Sequence, residues 1–325
     1  MQSLKILKKL RNNNGVFVAA GGSHYAEQAW IRDNIYEAIG LEHIDIKDAL
    51  KTYHALLDVF LKHEYKIEWA IKEKPDARYK YIHARFCPNT YNEFSENWGN
   101  KQNDSIGAFL FKIGDLIEKE VDVLRNINDF RIVQKLILYL ESVEYWHDKD
   151  NGVWEENEEV HSSSVGACVA GLKKCEEYFF VPYDLIEKGQ NKLTELLPRE
   201  SITKDVDLAQ LSLIYPFNIV TDKQAKQIIT NVEKFLVRNK GVIRYVGDQY
   251  FHKDGEAEWC FGFPWLAIIY KQMNNIEKYE FYLNKTREVM NHRGEIPELY
   301  FANTEEHNVN CPLGWAQALH IIAEK

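Results

Sequence analysis

The sequence predicts an all-α protein built as a single domain. Three observations carry that reading. Apolar residues recur at spacings of three and four through most of the chain, which is the period of an amphipathic helix and not the alternation of a strand. Strand-like runs are few and short, Val242-Ile243-Arg244-Tyr245-Val246 being the clearest. No Gly-, Pro- or Ser-rich linker divides the 325 residues, and composition stays even from one half to the other.

The elements follow from the stripes in chain order. A first stripe covers residues 25–41. In the next, Leu50, Tyr53, Leu57 and Leu61 share one face, with Leu56 and Phe60 beside them. Further stripes cover residues 106–117, 130–145, 165–178, 183–196, 208–215, 225–237, 263–273, 279–290 and 315–322. Together they give roughly eleven helices, well above the third of residues that an average domain commits to helix. Starts are marked by Asp104-Ser105, by Ser162 to Ser164 and by Thr221-Asp222, side chains that can accept from free backbone N–H groups. The connections alternate in character. Residues 64–103, 146–161, 241–262 and 291–312 are long, aromatic and polar, whereas residues 119–129 are short and plain. Hairpins closed into a toroid would bring the long set to one end, and long loops on a rigid scaffold are where sites form.

Composition narrows the chemistry. With 8 Trp, 18 Tyr and 16 Phe, 13% of the chain is aromatic. A large core explains most of the Phe; Trp and Tyr at this density also suit a carbohydrate binder, since sugar C–H faces stack on rings. A net charge of −9 repels phosphate backbones and argues against nucleic acid, the basic run Lys5 to Arg11 being short. No stretch reaches the roughly 18 apolar residues of a membrane span, and none near the start has signal-peptide form. Cys87, Cys168, Cys175, Cys260 and Cys311 are odd in number, scattered and without a CxxC pair. That pattern suits a reducing compartment, so the expectation is a soluble cytoplasmic protein.

Four segments combine aromatic rings with charge. In Trp30-Ile31-Arg32-Asp33, the arginine and aspartate serve either as an ion pair opening a helix or as sugar ligands beside a Trp wall. In Asn97-Trp98-Gly99-Asn100-Lys101-Gln102-Asn103-Asp104, a Trp followed by amides suits a cavity mouth or an ordinary capped loop. In Trp154-Glu155-Glu156, the ring shields Glu155 from water, which raises a carboxyl pKa as a general acid requires; Glu158 and Glu159 read as solvated. The last segment gathers Arg244-Tyr245, Glu256 to Trp259, and Glu298, which follows the stiffening Pro297 and precedes Pro312-Leu313-Gly314-Trp315. Two carboxyl groups on separate loops among aromatics are what glycosidic bond cleavage needs. Other chemistries find no support: GxSxG, P-loop, HExxH and GxGxxG patterns are missing. His83, His161, His252 and His292 read as loop or surface residues. Asp148 and Asp150 have the look of a calcium loop but lack its late bidentate Glu, so no metal is assigned.

Taken in order over residues 20–322, Trp30-Ile31-Arg32-Asp33, Trp98-Gly99 with Gln102-Asn103-Asp104, Trp154-Glu155-Glu156 with Ser162 to Ser164, Arg244-Tyr245, and Glu298 before Pro312-Leu313-Gly314-Trp315 resemble the glucoamylase family of glycoside hydrolases. The resemblance implies an (α/α)6 toroid and inverting, exo-acting hydrolysis of α-glucosides, chiefly malto-oligosaccharides, with release of β-glucose. It implies Glu155 as general acid and Glu298 as general base, their carboxyls roughly 6.5–9.5 Å apart. Arg32, Asp33, Glu156 and Arg244 become ligands of the terminal glucose, and Trp30, Trp98, Trp154 and Trp315 aromatic contacts to substrate. It implies no cofactor, and a saccharide as the partner. Residues 1–325 would form one domain with neither a starch-binding module nor a separate β-sandwich. Leu299, after the implied base, replaces a Gln common in relatives. The sequence also resembles the N-terminal domain of phosphorylase kinase regulatory subunits, which implies a non-catalytic, glucan-sensing alternative; a trehalase or α-1,6-glucosidase on the same fold is another.

Overall fold

The computed structural model describes residues 1–96 and 98–325; Asn97, at the edge of the second aromatic segment, lies outside them. Twelve α-helices are present among the described residues: α1 Gln2–Leu10, α2 Ile31–Glu42, α3 Ile46–Lys62, α4 Glu64–Lys72, α5 Asn103–Glu118, α6 Ile127–Ser142, α7 Ser162–Cys175, α8 Leu185–Leu196, α9 Asp222–Phe235, α10 Gly262–Gln272, α11 Ile276–Glu288 and α12 Gly314–Glu324. Two antiparallel pairs of two-residue strands accompany them, β1 Ala29–Trp30 with β2 Arg85–Phe86 and β3 Glu258–Trp259 with β4 Leu299–Tyr300.

Packing closes the helices into a ring. α2 packs on α5, α5 on α7, and α7 on a 3₁₀ helix, Leu208–Leu213, which meets α10; α10 then packs on α12 and α12 returns to α2. Around these six inner elements lie α3 on α2, α6 on α5, α8 on α7, α9 on the 3₁₀ helix, α11 on α10 and α1 on α12. Inner and outer elements alternate along the chain, with α4 as an addition against α6. The sequence pattern reports the same division. α5 is buried without a break from Asn103 to Leu116, as expected of a helix enclosed on all sides, whereas α9 buries only Ala225, Ile228, Ile229 and Val232 at helical spacing.

Glycines sit at the crossing of α5 and α7. A Cβ on Gly107 of α5 would lie 2.4 Å from the backbone of Ala167 and Cys168 in α7, and one on Gly171 of α7 would lie 2.4 Å from the Gly107 carbonyl oxygen. Backbone cannot move aside as a side chain can. Gly107→Ala is therefore expected to force α5 and α7 apart at a cost of about 2–3 kcal/mol, lowering the melting temperature by about 4–10 °C. Thermal unfolding followed by circular dichroism measures this, and an unchanged melting point contradicts the tight crossing.

Several local expectations are corrected. Within residues 208–215, Leu208–Leu213 form a 3₁₀ helix, opened by Asp207 in a capping box with Gln210. The run 242–246 forms no strand; only Val242 bridges, to Val237 and Trp259. Asp104 is not an N-cap, since α5 starts one residue earlier and the carboxylate turns to Arg32. Ser162 and Ser163 do not cap α7 either: their hydroxyls donate to Glu200, which also accepts the Ser163 N–H at 3.1 Å and so covers the helix end from outside. Thr221 caps α9 as its sequence predicts, reciprocally with Gln224.

Candidate active site

The inner helices begin at one end of the ring, and the long connections gather there. Between them lies a cavity of about 250 Å³. Pockets for drug-sized ligands run to roughly 300–1,000 Å³, so this one suits a single sugar ring. Trp30, Arg32, Asp33, Trp98, Trp154, Glu155, Glu156, Arg244, Glu298 and Trp315 all line it; the fold brings every site residue singled out in the sequence to one place.

One wall is the start of α2. Trp30 pairs with Arg85 across β1 and β2, and the Arg85 guanidinium lies 4.2 Å from the centre of the Trp98 ring. His83 stacks on Trp98 at 5.5 Å. This histidine is buried, not a surface residue, and burial together with Arg85 and Lys66 pushes its pKa down to about 3, so the stacked ring is neutral. In the first turn of α2, Arg32 donates to Gln102 at 2.7 Å and to Asp104 at 3.2 Å, and lies 3.7 Å from both Asp33 and Glu155. Three carboxyls around one arginine keep it charged, which offsets the cost of burying it. Asp33 rises to about 6, from burial, against the pull of Arg32.

The second wall is the turn that precedes α7. Two backbone bonds run through it: Glu155 N–H donates to the Gly152 carbonyl at 3.3 Å, and Glu156 N–H to that of Asn151 at 3.0 Å. Glu155 adopts φ 65°, a left-handed conformation rare for a residue with a Cβ. Its side chain keeps 20% exposure, toward the cavity. Burial raises its pKa to about 7; Arg32 opposes the rise and Asp33 adds to it. Glu156 differs. Its two oxygens accept from Arg244 at 2.7 Å, Tyr245 Oη at 2.6 Å and Lys204 at 3.0 Å, and these cations and donors outweigh burial and lower its pKa. A carboxylate has about four acceptor positions, so at most one is left for a sugar hydroxyl. Glu159 is not a solvated bystander: it accepts from Thr203 at 2.7 Å and its backbone pairs with Asp150. Asp148 is held by Lys101 at 2.7 Å, and Asp150 accepts the N–H of Asn103 and of Gly152, so both brace the turn. His161 is buried, and its ring packs against Gly152.

Glu298, 2% exposed, lines the same cavity from the entry to β4. Asn308 and Asn310 both donate to its Oε2, Asn310 at 2.7 Å, which leaves Oε1 as the oxygen available to a water in the cavity. Burial lifts its pKa to about 7, against the two amides, which favour the charged form. Leu299 faces the core, fully buried; the hydrogen bonds that hold Glu298 come from across the loop instead of from its neighbour. Arg244 completes this side through a two-bond clasp on Asp248, at 2.7 and 2.5 Å, with its guanidinium 5.3–5.4 Å from the Trp154 and Trp259 ring centres.

Other residues of the site carried no signal in the sequence. Tyr25 and Tyr250 line the cavity with their hydroxyls 2.9 Å apart; burial, then the charge of Glu298, drives the Tyr25 pKa far up, so it stays a neutral hydrogen-bonding group. Phe261 lines the cavity too, next to Trp259 of the fourth aromatic segment. The sequence contains isolated tyrosines and an Asn308-x-Asn310 pair before Pro312, and only their place beside Glu298 gives them meaning.

Six inner and six outer elements closed into a ring, with two buried carboxyls lining one cavity at its end, define an (α/α)6 toroid. The profile of glycosyl hydrolases family 15 matches residues 1–324, and the chain belongs to that family. It superposes on a glycosidase variant solved in complex with glucose with a TM-score of 0.84, covering 99% of this chain and 94% of that one at 19% identity. For a glucoamylase from Hormoconis resinae the TM-score is 0.74 at 12% identity, over 99% of this chain and 71% of the other. At these identities the likeness speaks for the fold. The chain is also 25% identical to a probable phosphorylase b kinase regulatory subunit alpha from Caenorhabditis elegans, over 93% of its own length and 31% of the subunit's, so it spans about a third of that relative. Among the described residues no helix is long and apolar enough to cross a membrane.

Proposed function

We propose that the protein is an inverting, exo-acting glycoside hydrolase that releases β-glucose from the non-reducing end of α-glucosides, with malto-oligosaccharides as the main class. The observation that carries this reading is the pair Glu155 and Glu298, both lifted to about 7 by burial while lining one cavity of single-sugar size. Protonated Glu155 gives its proton to the glycosidic oxygen as the C1–O bond breaks; a water attacks C1 from the other face and passes its proton to Glu298. The roles are divided as the family resemblance implies, and the two amides that donate to Glu298 and favour its ionised form suit it to the base. Solvent then returns a proton to Glu155 and takes one from Glu298. Arg32, Asp33 and Arg244 hold the terminal glucose, with Trp30, Trp98, Trp154 and Trp315 as aromatic contacts and Glu156 contributing its remaining acceptor position. The unpaired cysteines support a reducing, cytoplasmic setting.

A panel of maltose, isomaltose and trehalose, scored for glucose release across pH, tests the reading. Activity needs Glu155 protonated and Glu298 ionised. With both carboxyls raised to about 7, a bell-shaped kcat/KM centred near neutral pH is expected. Activity that keeps rising to pH 9 excludes Glu155 as the acid.

The kinase-subunit relative favours a second reading, a non-catalytic glucan-sensing domain. The two part at one readout: such a domain binds maltose in a calorimeter and releases no glucose from any of the panel.

A further inference from the structure

Lys204 stands outside every segment that the sequence singles out. It lies in the connection between α8 and the 3₁₀ helix, with its side chain only 8% exposed. A buried ammonium is costly unless paired, and its partners here are specific. Nζ lies 3.0 Å from Glu156 Oε2 and 3.7 Å from Asp207 Oδ2. It also sits 3.8 Å from the centre of the Tyr245 ring, whose hydroxyl donates to the same Glu156 oxygen. Asp207 in turn accepts the indole N–H of Trp154 at 2.7 Å and the Ala209 N–H at 2.8 Å, which anchors it to the end of an inner element of the ring.

The two carboxylates that Lys204 joins thus hold the residues on either side of Glu155: Asp207 holds Trp154, and Glu156 is the other neighbour itself. Between them Glu155 is in the left-handed region at φ 65°, a conformation that persists only where the surroundings impose it. We infer that Lys204 is a positioning residue for the proton donor: by tying Glu156 to Asp207 it holds the Trp154-Glu155-Glu156 turn in its left-handed form and aims the Glu155 carboxyl into the cavity. The inference rests on the glycosidase reading for its catalytic consequence, though not for its structural one. Without the ammonium, Glu156 and Asp207 lose the cation that they share, and the turn loses the tie between its two ends.

Two measurements on the full chain test this. The first is a crystal structure of Lys204→Met, which keeps the length of the side chain and removes the charge. Glu155 is expected to leave φ > 0 and its carboxyl to shift by about 1 Å, the displacement that costs roughly 100-fold in rate. The second is kcat on maltose and on α-glucosyl fluoride for wild type, Lys204→Met and Lys204→Arg. Fluoride departs with little protonation, so a misplaced acid harms maltose selectively: a loss of about 100-fold on maltose and under about 5-fold on the fluoride, with Lys204→Arg recovering most of it. An unmoved Glu155, or equal losses on both substrates, overturns the inference. Should wild type split neither substrate, the glycosidase reading fails, and the crystal structure alone decides whether Lys204 holds the turn. If Lys204→Met does not fold, Tyr245→Phe cuts a hydrogen bond to the same oxygen without removing a charge. The same preference for the fluoride is then expected at about 10-fold on maltose, and equal losses again count against the role.

Discussion

Glu155→Gln is expected to lower kcat on maltose by about three orders of magnitude, equivalent to roughly 4 kcal/mol of transition-state stabilisation, while α-glucosyl fluoride retains most of its rate. Glutamine keeps the volume of the side chain and its place 3.7 Å from Arg32, so the fold and the left-handed turn should persist. What disappears is the proton. A glucose leaving group departs as an alkoxide unless protonated, and the buried carboxyl, raised to about 7, is poised to supply that proton near neutrality. A variant with near-wild-type turnover on maltose would remove Glu155 from the acid role, and Glu156 would not replace it: three donors hold its pKa down.

Glu298→Gln should lose a comparable factor, about 10³, but on both substrates alike, because every leaving group needs the attacking water activated. Here too the geometry makes the expectation specific. Asn308 and Asn310 both bond Oε2, so the amide that replaces the carboxylate would either turn an NH₂ toward two NH₂ donors or place it at the Oε1 position; neither arrangement can accept a proton from water. The contrast between the two variants separates acid from base more cleanly than either loss alone. Selective loss on maltose in Glu298→Gln and uniform loss in Glu155→Gln would reverse the assignments.

How much of this could be read from the chain depends on what kind of physics placed each residue. The inner and outer helices were legible because burial writes itself into sequence as periodicity: α3 carries the stripe that includes Tyr53 and Leu57, and both are fully buried. The inner 3₁₀ helix was not, since Leu208 to Leu213 is apolar at spacings that suit either helix type and only the Asp207–Gln210 capping box and packing against α7 decide it. Residues of the cavity were legible where they sit near an aromatic ring or a Pro in a local motif, as Arg32, Glu155, Arg244 and Glu298 do. Asn308, Asn310, Tyr25, Tyr250, Asp207 and Lys204 act through contacts outside any local motif, from 10 residues away within one loop for Asn308 with Glu298 to 225 for Tyr25 with Tyr250. Such contacts leave no spacing to find. The same reason explains the histidines: nothing around His83 or His161 in sequence says that one stacks on Trp98 and the other packs under Gly152.

The stereochemistry of the product tests the central claim most directly. Maltotriose hydrolysed in an NMR tube, with the anomeric protons followed before mutarotation equalises them, reports which face of C1 the water attacked. A water on Glu298 that attacks C1 from the face away from the breaking bond predicts that β-glucose appears first, its signal leading α-glucose from the earliest spectra. α-Glucose appearing first would mean retention through a covalent intermediate and would contradict the assignment of Glu298 as a base acting on water.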